Sequence, residues 1–410
     1  MMRYGRTILI ISLTGLAAGL LTRCASDTGK KTPTRKNISY TDFAGSASCI
    51  SCHKDLVEKH AATAHFRTSM RADSSTILGS FIPGKNSFVF SAVGQVVMEK
   101  RADSFYQVEY LMGKENRKSK FDITVGSGKK GQSYLSWKQH SLIQMPVTYF
   151  TPAASWSSSP GFNPHSIAFN RVVTSRCLEC HSTFFETTSA PAVHPETYNP
   201  STVLYGVDCE KCHGPAKEHV QFHAANPTVK EARFVTNTGK MSRQTNIDLC
   251  ALCHSGKLNK STPSFSFQAG DKLDDHFERV NIPAAPGGID VHGNQLGMLA
   301  QSKCYNSSEM TCISCHNIHA KEQNQPAVYS QRCIQCHTEG KTATCRLLKT
   351  EGPLINKNCI DCHMPLQPSQ SITVYLEGAT VPTAARLRTH QVGIYKEETK
   401  QVLAYLKKLK

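Results

Sequence analysis

The chain has 410 residues, 39% of them hydrophobic, with 47 Lys and Arg against 31 Asp and Glu, for a formal charge of +16. Such a length and apolar content exclude a disordered or collagen-like chain and leave room for two or three compact units. The basic excess raises nucleic acid as a partner, and 17 cysteines are far above ordinary usage, so their spacing decides the class.

The first 24 residues, MMRYGRTILIISLTGLAAGLLTRC, read as an export signal. Arg3 and Arg6 form a basic start, and the apolar run Ile8 to Leu21 is short for a membrane span. Cys24 follows Leu-Thr-Arg in the manner of a bacterial lipobox, although Arg23 stands where such sites carry a small residue. The expectation is an exported lipoprotein, periplasmic or outer-membrane-associated, held to the membrane through Cys24. Residues 25–45 are polar and rich in Lys, Thr and Ser, as in a flexible tether.

A first Cys-x-x-Cys-His motif, Cys49-Cys52-His53, lies in the segment 46–76. Residues 77–170 carry no such motif. Stretches such as FVFSAVGQVVMEK, SFYQVEYLM and LIQMPVTYF alternate apolar and polar residues between glycines, which predicts an inserted antiparallel β subdomain. Residues 171–365 hold six more motifs: Cys177-Cys180-His181, Cys209-Cys212-His213, Cys250-Cys253-His254, Cys312-Cys315-His316, Cys333-Cys336-His337 and Cys359-Cys362-His363. The segment 366–410 ends with Val402, Leu403, Leu406 and Leu409 at helical spacing, which predicts a terminal amphipathic helix.

Residues three apart on a helical turn share a face, so the paired cysteines present two thiols side by side to the vinyl groups of a porphyrin. The histidine that follows is placed to ligate iron from below the ring. Zinc ribbons also use Cys-x-x-Cys, but they need two pairs per tetrahedral site and impose no following histidine. Seven pairs, all followed by His, fit neither demand. The expectation is seven covalently bound haem c groups, with iron as the metal. The charge then takes another meaning. Removing residues 1–23 takes away three arginines and no acids, and seven haems at roughly one net negative charge each leave roughly +6. Nucleic acid is therefore not an expected partner.

Eleven histidines lie outside the motifs. His219 and His223 stand one helical turn apart, His319 follows His316 by three residues, and His65 lies just downstream of the first motif on an expected helix. With His165, His292 and His390 they make seven candidate distal ligands. His60, His140, His194 and His276 are left as non-ligating. Cys304 and Cys345 are outside any motif, and in an oxidising compartment a disulfide between them is expected, with two buried free thiols as the alternative.

The stretches SCISCHKDLVEKHAATAHF, SRCLECHSTFFE, YGVDCEKCHGPAKEHVQFH, DVHGNQLGMLAQSKCYNSSEMTCISCHNIH and NCIDCHMP resemble the multihaem cytochromes of the cytochrome c-554 type. The resemblance spans most of residues 46–395. It implies a mostly α and irregular fold of short helices around haems stacked in pairs, with largely bis-histidine ligation. It supports His65, His219, His292 and His319 as distal ligands and says less about His165, His223 and His390. The leading functional expectation is an electron carrier between redox proteins, a quinol-side donor and a terminal acceptor or reductase. The alternative is a reductase of a small nitrogen or sulfur compound, which needs one five-coordinate haem.

Overall fold

Alternating side chains build the first half of the molecule. The structure, a computed structural model, describes residues 38–190, 193–280, 288–322, 324–338 and 344–408; the signal segment and Cys24 lie outside the described residues. After β1 (Ser69–Arg71), four consecutive strands run up and down: β2 (Ser87–Ser91), β3 (Gly94–Arg101), β4 (Ser104–Leu111) and β5 (Lys114–Lys120). On β3 and β4, Val96, Met98 and Val108 point inward and are fully buried, as a period of two requires. The tight turn between β4 and β5 uses Met112 and Gly113, both at positive φ (50° and 75°), the twist that suits a two-residue hairpin. Strand β5 reads KENRKSK and is almost wholly exposed, a charged edge that discourages pairing with other chains.

A second antiparallel sheet takes the order β1-β6-β7-β8-β11, with β6 (Ile123–Val125), β7 (Ser133–Lys138) and β8 (Ser141–Gln144). The hairpin β9 (Val147–Phe150) and β10 (Ser155–Ser158) precedes β11 (Arg171–Val172). The expected single meander is thus two sheets and a hairpin around one core of Phe88, Phe90, Met98, Phe121, Tyr134, Met145 and Trp156. Gln107 ties them together: its Nε2 donates to Val147 O at 2.6 Å, and its Oε1 accepts from Val147 N. The strands β1 and β11 come from the flanks, so this region is anchored to the motif-bearing chain on both sides.

Helices elsewhere are short. They are α1 (Ser46–Ala61), α2 (Ser175–His181), α3 (Cys209–His213), α4 (Lys217–Ala225), α5 (Arg243–His254), α6 (Gln295–Leu299), α7 (Lys303–Asn306), α8 (Pro326–Cys336), α9 (Leu348–Glu351), α10 (Cys359–His363) and α11 (Lys396–Lys408). Three hairpins lie among them that alternation had not announced: β12 (Ser182–Thr187) with β13 (Tyr198–Tyr205), β14 (Leu258–Lys260) with β15 (Phe277–Arg279), and β16 (Leu366–Val374) with β17 (Thr383–Arg388). Residues 39–45, at the end of the expected tether, are docked: Tyr40–Asp42 form a 3-10 turn, and Phe43 packs on Phe184.

Candidate haem sites

Six of the seven motifs end a helix or break one. Helices α2, α3, α5 and α10 stop at the motif histidine, α8 stops at Cys336 with His337 as its cap, and α1 leaves helical geometry at His53 (φ −121°, ψ 34°). One helical turn sets the two thiols on a common face, and ending the helix there frees the imidazole to turn away from the ladder. Motif five differs from the expected α-turn, because Cys312–Ser314 is a 3-10 turn. Asp208 caps α3 by accepting from Cys209 N, and Ser242 caps α5 by accepting from Thr245 N.

The fold brings four motif imidazoles opposite histidines from distant segments. His53 faces His219 with ring centroids 6.4 Å apart, and His213 faces His319 at 6.2 Å. His254 faces His65 at 6.2 Å, and His316 faces His390 at 6.1 Å. His292 lies within electrostatic reach of His181. An imidazole nitrogen sits about 2 Å from a first-row metal and roughly 1 Å ahead of its ring centre, so two rings on opposite sides of one ion have centres about 6 Å apart. All four measured gaps match that separation. A cavity of about 1170 Å³ opens beside motif two, lined by Arg176, Cys177, Cys180, Cys253 and His292. The residues present therefore fit haem.

Hydrogen bonds decide which ring nitrogen is available. His213 Nδ1 lies 3.0 Å from Thr236 O, His219 Nδ1 2.8 Å from Arg233 O, and His363 Nδ1 2.7 Å from Gly393 O. A carbonyl only accepts, so each Nδ1 carries the proton and donates it, and the lone pair is left on Nε2. His254 Nδ1 meets Gln295 Oε1 at 2.9 Å in the same way, and His181 Nδ1 meets the Thr68 hydroxyl at 3.0 Å. Burial is the largest cause holding His65, His181 and His390 down to about 4. It also lowers His254, His292, His316 and His319. These imidazoles are neutral at physiological pH, which is their ligating form.

The thiols of different motifs touch. Hydrogen bonds join Cys49 to Cys209, Cys180 to Cys253, Cys250 to Cys312 and Cys333 to Cys359. Cys212 lies within electrostatic reach of Cys250, and Cys315 within reach of Cys333 and Cys336. The motifs accordingly follow one another in the order one, three, four, five, six, seven, with motif two attached to motif four.

Side chains that the sequence reading did not single out clamp these neighbours. Glu210, buried within motif three, accepts from Ala44 N (2.8 Å), Gly45 N (2.9 Å) and Ala216 N (2.8 Å), which fixes the entry to α1. Arg176 Nη2 donates to Leu252 O at 2.6 Å between motifs two and four. Arg332 Nη1 donates to Cys315 O at 2.6 Å between motifs six and five, and also pairs with Glu322. Ser330 Oγ accepts from Cys359 N at 2.9 Å between motifs six and seven. A charged residue inside or just before a motif (Glu210, Arg332) is the signal that was there to find.

Of the seven distal candidates, five stand with a motif histidine: His65, His219, His292, His319 and His390. His65 lies beyond the end of α1, not on the expected helix. His223 packs against His219 at 4.6 Å and Phe222, with its Nε2 buried and without a hydrogen-bond partner. His165 is exposed, and its side chain faces no motif imidazole. His60 is used structurally, its ring nitrogens reaching Val207 O at 3.1 Å and Ile318 O at 3.4 Å. His276 is buried 3.0 Å from Asp271, and His140 and His194 are exposed. Cys304 and Cys345 are free thiols, which corrects the expected disulfide: Cys304 lies near Cys315 and Cys333, and Cys345 near Cys362.

The family of cytochrome c554 and c-prime matches residues 150–214, a stretch that contains motifs two and three. No curated protein matches the chain in sequence. Among solved structures, the crystal structure of the outer cell wall cytochrome OcwA is similar, with a TM-score of 0.50 at 14% identity over 88% of this chain and 81% of that one. At that identity the likeness speaks for the fold alone. Together with the repeated motif and the imidazole pairs, these findings make the chain a multihaem c-type cytochrome that binds haem c covalently and resembles the cytochrome c554 family.

Proposed function

We propose that the chain carries seven haems, one on each motif, and passes electrons singly along them between redox partners. The observation that carries this reading is the set of facing imidazoles at 6.1–6.4 Å, each pair joining a motif to a remote segment. In this reading the pairs are His53 with His219, His181 with His292, His213 with His319, His254 with His65, and His316 with His390. Haem iron held by two imidazoles is coordinatively full and exchanges electrons one at a time. The chain's part is to keep the imidazoles neutral and buried and to hold the motifs against one another.

The touching thiols of motifs one and three, two and four, and six and seven support closely packed haem pairs, since each thiol marks the edge of the ring it binds. The clamps by Glu210, Arg176, Arg332 and Ser330 keep those edges in register. The ends of the array are motifs one, two and seven, where donor and acceptor proteins would dock, a quinol-side donor at one end and an acceptor or reductase at another. Export fits the apolar segment at 8–21 and the covalent haem, and the structural neighbour is by its name an outer cell wall protein. Attachment of the exported chain to a membrane through Cys24 belongs to the same proposal.

Spectroelectrochemical titration of the haem-loaded protein, with intact-mass spectrometry alongside, tests the reading. Seven haem additions and uptake of seven single electrons without added substrate are expected. Uptake of clearly fewer electrons, or a mass short of seven haems, would contradict it.

A further inference from the structure

Motif seven stands apart from the five motifs whose histidines find partners. Its imidazole is held in the way of the others: His363 Nδ1 donates to Gly393 O at 2.7 Å, so the Nε2 lone pair is left for iron. Yet among the described residues no second imidazole faces it, and all 18 histidines of the chain are among them. Four are already opposite other motif histidines, and His292 lies within electrostatic reach of His181. His60 is held by Val207 O and Ile318 O, and His276 by Asp271. His223 lies against His219 beside motif one, and His140 sits exposed between β7 and β8. His165 and His194 are exposed in loops and contact no motif histidine.

Other ligands are limited as well. Helix α11 closes the side of Cys362, whose thiol meets Thr399. Cys345, a thiol outside any motif, lies within electrostatic reach of Cys362. Among the described residues motif seven is also an end of the array, joined to motif six through Cys333 and Cys359 and through Ser330. A position where electrons arrive by one route and go no further along the chain is suited to handing them to a bound small molecule.

We infer that His363 is the sole protein ligand on the haem of motif seven, and that the opposite face takes a small exogenous ligand. The chemical class is set by the iron: a diatomic acceptor such as carbon monoxide on the ferrous ion, a small anion such as cyanide on the ferric ion. The inference rests on the reading that motif seven carries a haem, and it gives the reductase alternative a specific place.

The test is carbon monoxide titration of the reduced, haem-loaded chain, with peptide mass mapping of the Cys359–Cys362 segment. The expected result is a Soret change that includes one haem's worth from motif seven, with a high-spin ferric signal to match, both retained in Cys345→Ser. Loss of about one haem's worth of each in Cys359→Ala/Cys362→Ala assigns that share to motif seven; should that variant fail to fold, carbon monoxide opposite His363 in crystals of the wild type makes the assignment. Haem on the Cys359 peptide with no carbon monoxide uptake overturns the inference alone. A thiolate spectrum that disappears in Cys345→Ser, or uptake undiminished in the folded double variant, does the same. A Cys359 peptide without haem overturns the seven-haem reading itself.

Discussion

Replacing Glu210 by alanine removes a buried carboxylate that accepts from three main-chain N–H groups, those of Ala44, Gly45 and Ala216. A hydrogen bond to a charged group is worth about 1.5–3 kcal/mol, and a buried donor left without a partner costs about 1–3 kcal/mol. Ala216 is buried and has no recourse to water, whereas Ala44 and Gly45 are half-buried and recover part of the loss. The expected destabilisation is therefore about 3–5 kcal/mol for Glu210→Ala. Glu210→Gln keeps one acceptor oxygen but turns an NH2 group toward a main-chain donor, which costs about 1–2 kcal/mol. Urea unfolding of the haem-loaded protein, followed by far-UV dichroism and Soret absorbance, measures both. Because the carboxylate fixes the entry to α1, amide exchange of Ala44 and Gly45 is expected to speed up before any change in β2–β5. An alanine variant within about 1 kcal/mol of wild type, or one equal to the glutamine variant, would refute the clamp.

His219→Met is expected to change the ligand field of one haem in the ferric EPR spectrum, whereas His223→Gln leaves the spectrum unaltered; the reverse pattern would exchange their roles. Gly206 has φ +67°, and a Cβ there would stand 2.1 Å from Phe66 O, next to His65. Gly206→Ala is expected to cost about 2–4 kcal/mol in thermal or urea unfolding and to disturb the haem between His65 and His254. The hydrogen bond from Arg332 lowers the Glu322 carboxyl, so its stabilisation is present above the ordinary carboxylate pKa of about 4.3 and is lost as pH falls through the depressed value. Glu322→Gln should thus be less stable than wild type by about 1 kcal/mol at pH 7, with the gap closing as the pH falls below the ordinary carboxylate range; a gap that widens in acid would contradict the pairing.

The fourteen motif cysteines and seven motif histidines were legible because haem attachment fixes their spacing within five residues. The distal ligands were legible only as a set. His219 and His223 share one face of α4, and no local rule chooses between them. The choice is made by Arg233 O, which anchors the His219 ring, and by His53, 166 residues earlier in the chain. His390 gave no helical cue because it follows β17 in an irregular stretch, yet it meets His316. The alternation of β2–β4 was readable, since one face is buried and the other is not. The hairpins β12–β13 and β16–β17 were not, because their registers shift after Ser182 and Pro368 and break the period. Cys304 and Cys345 show the same limit, as compartment chemistry allowed a bond that the fold does not bring together.

Diffraction at the iron absorption edge from crystals of the haem-loaded protein tests the ligand assignment most directly. The account predicts seven iron peaks. Five lie midway between the rings of His53 and His219, His181 and His292, His213 and His319, His254 and His65, and His316 and His390, one lies beside His337, and one lies beside His363 with no second imidazole. Irons displaced from those midpoints, or a histidine opposite His363, would contradict it.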